Sequence, residues 1–101
     1  MGKRTFTEDK DLLFNCILNL TTVEECYDFF EDLCTTREIE EMSHRIRAAK
    51  MLSENSVYTE VVSQTGLSTA TVSRVNRAIK EGNDGYSTVL SRVKEKTEDG
   101  Q

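Results

Sequence analysis

The 101-residue chain contains no proline and only five glycines. Proline breaks helix interiors and glycine weakens them, so little in this sequence interrupts a helix. The glycines are scattered, which excludes a Gly-rich phosphate loop. There is one histidine, His44, and it sits beside basic residues, where a surface side chain is the simple reading. Acid–base and nucleophilic catalysis therefore have little to work with, and no catalytic residue is assigned. Cys16, Cys26 and Cys34 are an odd number, with no CxxC pair and no histidine-rich partner set. That excludes a recognisable zinc site, and no metal is expected. Each cysteine falls on an apolar helical face, so all three are expected to be buried, reduced thiols in a cytoplasmic protein. No apolar run reaches membrane-spanning length, and the N-terminus has no apolar stretch of signal-peptide kind.

What is present is helical periodicity. Thr7, with Glu8 and Asp9 behind it, opens a first helix at about 8–19 carrying Leu12, Leu13, Cys16, Ile17 and Leu20. Thr22 and Glu25 form a capping box for a second helix at about 23–33. Val23, Cys26, Tyr27, Phe30 and Leu33 form its expected buried stripe, with Phe29 lying off it. Thr35 and Glu38 repeat the box before a long third helix to about Leu52, with Ile39, Met42, Ile46, Ala49 and Leu52 in register. Ser56 is the expected cap of the next helix. Gly82-Asn83-Asp84-Gly85 is a stop signal, and a last helix is expected at about 86–96. Residues 1–6 and 97–101 read as frayed ends. The fold class is all-α, with about six helices in one domain spanning 1–101. Only 37% of the residues are apolar, and a chain this short buries only ~60–70% of its surface alone. A second copy is expected to complete the core, with residues 6–54 as dimerisation helices.

The segment from Tyr58 to Arg77 reads as a helix-turn-helix, part of a 57–81 unit. Gly66 has an apolar helical pattern on both sides, and a left-handed backbone position is cheap only for glycine. Val61, Val62 and Leu67 face Val72 and Val75 across that turn, with Ile79 one turn on. Ser68 is a natural N-cap for the second helix. Its exposed face offers Thr69, Ala70, Thr71, Ser73, Arg74, Arg77 and Lys80. Small polar groups followed by cations suit a helix whose N-terminal end enters a DNA groove, so these residues and Ser68 are the DNA-binding candidates.

The net charge of −5 appears to oppose DNA binding, but its distribution reverses that. Residues 1–41 hold 4 basic and 11 acidic side chains, whereas residues 42–81 hold 6 basic and 3 acidic. The basic excess coincides with the helix-turn-helix, where phosphate contact is needed. The alternative is a helical protein-interaction module that uses its acidic first third on a partner and binds no DNA.

The stretch from Thr65 to Asn76 and the order of helices resemble the Trp repressor superfamily, and within it the YerC/YecD branch. The segment Asn19 to Cys26 and the pair Gly85-Tyr86 add to the likeness, which covers about residues 6–96. The resemblance implies an intertwined homodimer on a palindromic double-stranded operator. It further implies a repressor, often of amino-acid metabolism, that works with a small corepressor. It places Thr35, Arg45 and Arg74 at the ligand-facing positions. This chain departs from the tryptophan-binding pattern at Val75, where the pattern has glycine, and at Ala78, where it has serine. The resemblance therefore implies a corepressor other than tryptophan, or none.

Overall fold

The computed structural model describes residues 4–99 and contains six α-helices, with no strand among the described residues. They are α1 (Glu8–Leu18), α2 (Val23–Leu33), α3 (Thr36–Ser53), α4 (Tyr58–Thr65), α5 (Thr69–Glu81) and α6 (Gly85–Asp99). The chain divides at Thr36/Arg37 into two compact units.

The first unit is a pair of capped helices. Thr7 Oγ1 accepts the Lys10 backbone N–H at 3.1 Å, and Glu8, Asp9 and Asp11 place negative charge at the positive end of α1. Thr22 caps α2 by accepting the Glu25 N–H at 3.1 Å. The Glu25 carboxylate reaches back to accept from the Thr21 backbone N–H at 2.8 Å and the Thr21 hydroxyl at 3.0 Å. Those bonds, the backbone one foremost, hold the Glu25 carboxyl below the ordinary glutamate range. The reciprocal box expected from Thr22 and Glu25 is therefore present, shifted one residue toward the N-terminus on the glutamate side.

Neither α1 nor α2 contains a buried residue. Leu13, Ile17 and Leu20 are half-buried, while Leu12 and Cys16 are exposed. On α2 the expected stripe is overturned. Val23, Cys26, Tyr27 and Leu33 are exposed, and Phe29, expected off the stripe, is half-buried beside Phe30 in an edge-on ring contact. The expected burial of the cysteines fails for the same reason. Cys16 and Cys26 are exposed and Cys34 is half-buried, all as free thiols. Helical periodicity marks an apolar face but does not say which surface covers it.

The second unit has an interior. Ala48, Ala49 and Met51 of α3, Val61 of α4, and Val72 and Val75 of α5 form its buried core. Leu52, Val62, Leu67, Ile79, Tyr86 and Leu90 pack around them. Two adjacent alanines with no exposed surface let helix backbones approach closely, so the branched valines fill the remaining space. The α3–α4 connection turns through Asn55, whose φ is 68°, and the Ser56 N–H bonds the Met51 carbonyl at 3.0 Å. The N-cap of α4 is Val57, with no side-chain capping bond, in place of the expected Ser56. At the other end of the chain α6 continues past the expected stop at 96. Thr97, read as the start of a frayed end, is helical and its hydroxyl donates to the Val93 carbonyl at 3.0 Å. Residues 1–3 and 100–101 of the two expected frayed ends lie outside the described residues.

Candidate nucleic-acid interface

The turn between α4 and α5 has the backbone that its sequence demands. Gly66 adopts φ 75°, the left-handed region, and its N–H bonds the Val62 carbonyl at 2.9 Å to close α4. A residue that the motif reading passed over secures this turn. Thr65 is buried, and its hydroxyl donates to the Val61 carbonyl at 2.7 Å while accepting the Leu67 N–H at 3.2 Å. The turn's backbone is thus satisfied without water, although Leu67 is only half-buried. A hydroxyl residue immediately before the turn glycine was the available signal.

Ser68 then caps α5, its Oγ accepting the Thr71 N–H at 3.1 Å and donating to Thr71 Oγ1 at 3.0 Å. Val72 and Val75 turn the inner face of α5 into the core, which fixes what the outer face presents. Ser68, Thr69, Ala70, Arg74, Arg77 and Lys80 are exposed, and Thr71 and Ser73 are half-buried. All eight candidates named from the sequence are thus solvent-accessible on one helix and its cap. Among the described residues Arg74, Arg77 and Lys80 enter no ion pair, so their charge is uncommitted.

The ligand-facing candidates are less uniform. Arg45 is half-buried and pairs with Glu41, four residues back on α3, at 3.4 Å. Arg74 points its charge to solvent from α5. Thr35 immediately precedes α3 and belongs to the first unit. Val75 is 2% exposed and is part of the core. Among the described residues no buried side-chain nitrogen or oxygen lacks a partner. No group of three or more His, Cys, Asp or Glu among them could hold a metal ion, and no helix is long and apolar enough to cross a membrane.

An all-α chain whose exposed, cationic second helix follows a glycine turn is a helix-turn-helix protein. Comparison with known proteins narrows that class. The family model for the Trp repressor protein matches residues 8–94. The Bacillus subtilis (strain 168) protein YerC, itself uncharacterized, is 50% identical over 88 residues, which cover 87% of this chain and 85% of YerC. A TrpR-like protein from Eubacterium eligens ATCC 27750 superposes with a TM-score of 0.83 at 49% identity, covering 86% of this chain and 90% of that one. A Staphylococcus aureus structure, provisionally described as a Trp repressor, gives 0.85 at 44% identity, covering 88% and 89% of the respective chains. The chain belongs to the Trp repressor family, a family of DNA-binding regulators.

Proposed function

We propose that the protein is a sequence-specific transcriptional repressor of an amino-acid metabolism operon, acting in the cytoplasm as a homodimer on a palindromic operator. The observation that carries this reading is the outer face of α5. It pairs an accessible run of small side chains at its N-terminal end with three uncommitted cations further along. In this reading Thr69 and Ala70 press methyl groups against base edges, and Arg74, Arg77 and Lys80 neutralise phosphates. No side chain at the start of α5 can make a two-pronged bond to guanine or adenine, so discrimination is spread over several modest contacts.

Dimerisation is supported by the apolar surface of the first unit. Leu18, Val23 and Tyr27 are 78%, 68% and 63% exposed, and Leu12, Phe14 and Leu33 are exposed with them. Covering each such side chain is worth ~1.5–3 kcal/mol, and a second copy is the partner always at hand. Two α5 helices set about one DNA turn apart, roughly 34 Å, would read the two half-sites. A corepressor, where one is used, is an amino-acid-like molecule other than tryptophan held by Thr35, Arg45 and Arg74. Val75 is committed to the core and Ala78 brings no hydroxyl.

The test is selection from randomised duplex DNA, followed by titration of the selected site across salt concentrations. A palindromic consensus, and affinity that falls steeply with salt, are expected. A protein that enriches no sequence and shows no salt-dependent binding is an interaction module instead. Sedimentation at micromolar concentration should give the dimer mass, and a stable folded monomer would remove the two-fold operator from the reading.

A further inference from the structure

The hydroxyls at the start of α5 are not equivalent. Ser68 Oγ already accepts the Thr71 backbone N–H at 3.1 Å, and its own proton lies toward Thr71 Oγ1 at 3.0 Å. Two hydroxyl groups bring two protons, and one of these is held in the bond that joins them. The pair therefore turns a single free O–H outward, and it belongs to Thr71. Many helical hydroxyls of this protein are absorbed by their own backbone. Ser43, Ser53 and Thr65 donate to carbonyls four residues back, at 2.8, 2.8 and 2.7 Å. Thr71 makes no such bond among the described residues. Its hydroxyl is held in place by Ser68, half-exposed, and flanked by the exposed Ala70 and Arg74 of the same helix.

We propose that Thr71 reads a hydrogen-bond acceptor on a base edge, and that Ser68 is the positioning residue that leaves Thr71 as a donor. This rests on the reading of α5 as the helix that enters the DNA groove. The acceptors a lone donor can meet in the major groove are guanine O6 or N7, adenine N7 and thymine O4; cytosine presents only a donor there. The operator should therefore carry one of those acceptors at the Thr71 position in each half-site. Ser68 contributes no base contact of its own, because its proton and one lone pair are both engaged.

The experiment compares binding selections for the wild type, Thr71→Val, Thr71→Ser, Ser68→Gly and the Ser68→Gly/Thr71→Val double variant. Glycine at an N-cap costs only a few tenths of a kcal/mol relative to serine, so Ser68→Gly should keep the fold. Far-UV circular dichroism checks that it does. Thr71→Val should lose about fivefold of discrimination at one base pair per half-site, the scale of one neutral hydrogen bond. Thr71→Ser should retain it. Ser68→Gly should flatten the same base pair and no other, and should add nothing in the Thr71→Val background. Replacing the selected purine by its 7-deaza analogue, where the acceptor is N7, should match the Thr71→Val loss. A wild type that selects no sequence would overturn the DNA reading as a whole. A wild type that selects an operator, with Thr71→Val leaving every position unchanged, would overturn this proposal alone. So would a Ser68→Gly effect at a different base pair.

Discussion

The buried hydroxyl of Thr65 is the most exposing test of how the helix-turn-helix is held. Valine has nearly the same shape as threonine, so Thr65→Val leaves packing intact and deletes one oxygen. That oxygen accepts the Leu67 N–H at 3.2 Å and donates to the Val61 carbonyl at 2.7 Å. Stranding a buried donor costs ~1–3 kcal/mol, offset in part by placing a methyl group in an apolar site. The net expectation is a loss of about 1–2 kcal/mol. Thr65→Ser keeps both bonds and removes one methyl, for ~0.8 kcal/mol. Thr65→Ala loses both contributions and should be the least stable of the three. Serine should therefore exceed alanine by about 1–2 kcal/mol, the hydroxyl's own share. Urea unfolding at one fixed protein concentration measures the series, since assembly would otherwise shift the midpoints. In thermal melts each kcal/mol corresponds to about 4–8 °C for a domain of this size. If valine matched or exceeded the wild type while serine and alanine unfolded together, Thr65 would be merely a space-filling residue. The hydrogen-bonded account of the turn would then be wrong.

Three further outcomes are expected. At the two ends of the helix-turn-helix, Gly66→Ala meets no atom within 4 Å and is strained only by its φ of 75°, about 1–2 kcal/mol. Gly82→Ala would put a Cβ 2.4 Å from the Ala78 carbonyl oxygen and should lower the melting temperature further; equal melting of the two variants contradicts this. Replacing Arg77 or Lys80 by alanine should weaken operator and random DNA alike and reduce the salt slope by about one per residue, whereas a loss confined to operator would mark a base contact. Because the Glu25 carboxyl lies below its ordinary range when folded, its contribution is complete above the unfolded value and fades as pH falls through the lowered folded one. Wild-type stability should therefore fall more steeply than that of Glu25→Gln on acidification below the usual glutamate range, and parallel pH profiles would show that the cap does not couple to folding.

Local chemistry was legible in the chain to within a residue or two. Thr7, Thr22 and Ser68 cap the helices they precede, and Gly66 takes the left-handed turn, because each effect depends on bonds within a few residues. The accessible face of α5 was legible too, since Val72 and Val75 fix the rotation of a helix whose period is constant. What the pattern could not give was the side of α2 left uncovered by its own chain. Val23, Tyr27 and Leu33 have the spacing of buried residues and lie exposed, while Phe29 does the reverse. Periodicity records that a face is apolar, and the identity of its cover is a tertiary or quaternary matter. Thr65 was missed because a buried hydroxyl next to a glycine looks like any turn residue until its two partners are seen. The extension of α6 to Asp99 was missed because charge-rich, good helix-forming residues were read as an unstructured end.

The absence of any interior residue in α1 and α2 bears on how long a newly made copy survives. A helical hairpin that shows leucine, phenylalanine, valine and tyrosine to water is what chaperones bind and proteases cut. Until those side chains are covered, each copy is exposed to degradation, and covering them removes it from that fate. Turnover should then fall as abundance rises, so that steady-state level responds more than proportionally to synthesis rate. A small change in transcription of this protein's own gene would become a larger change in the regulator available to its targets. A truncated copy retaining residues 4–36 would act as a poison, occupying the cover that a full-length chain needs.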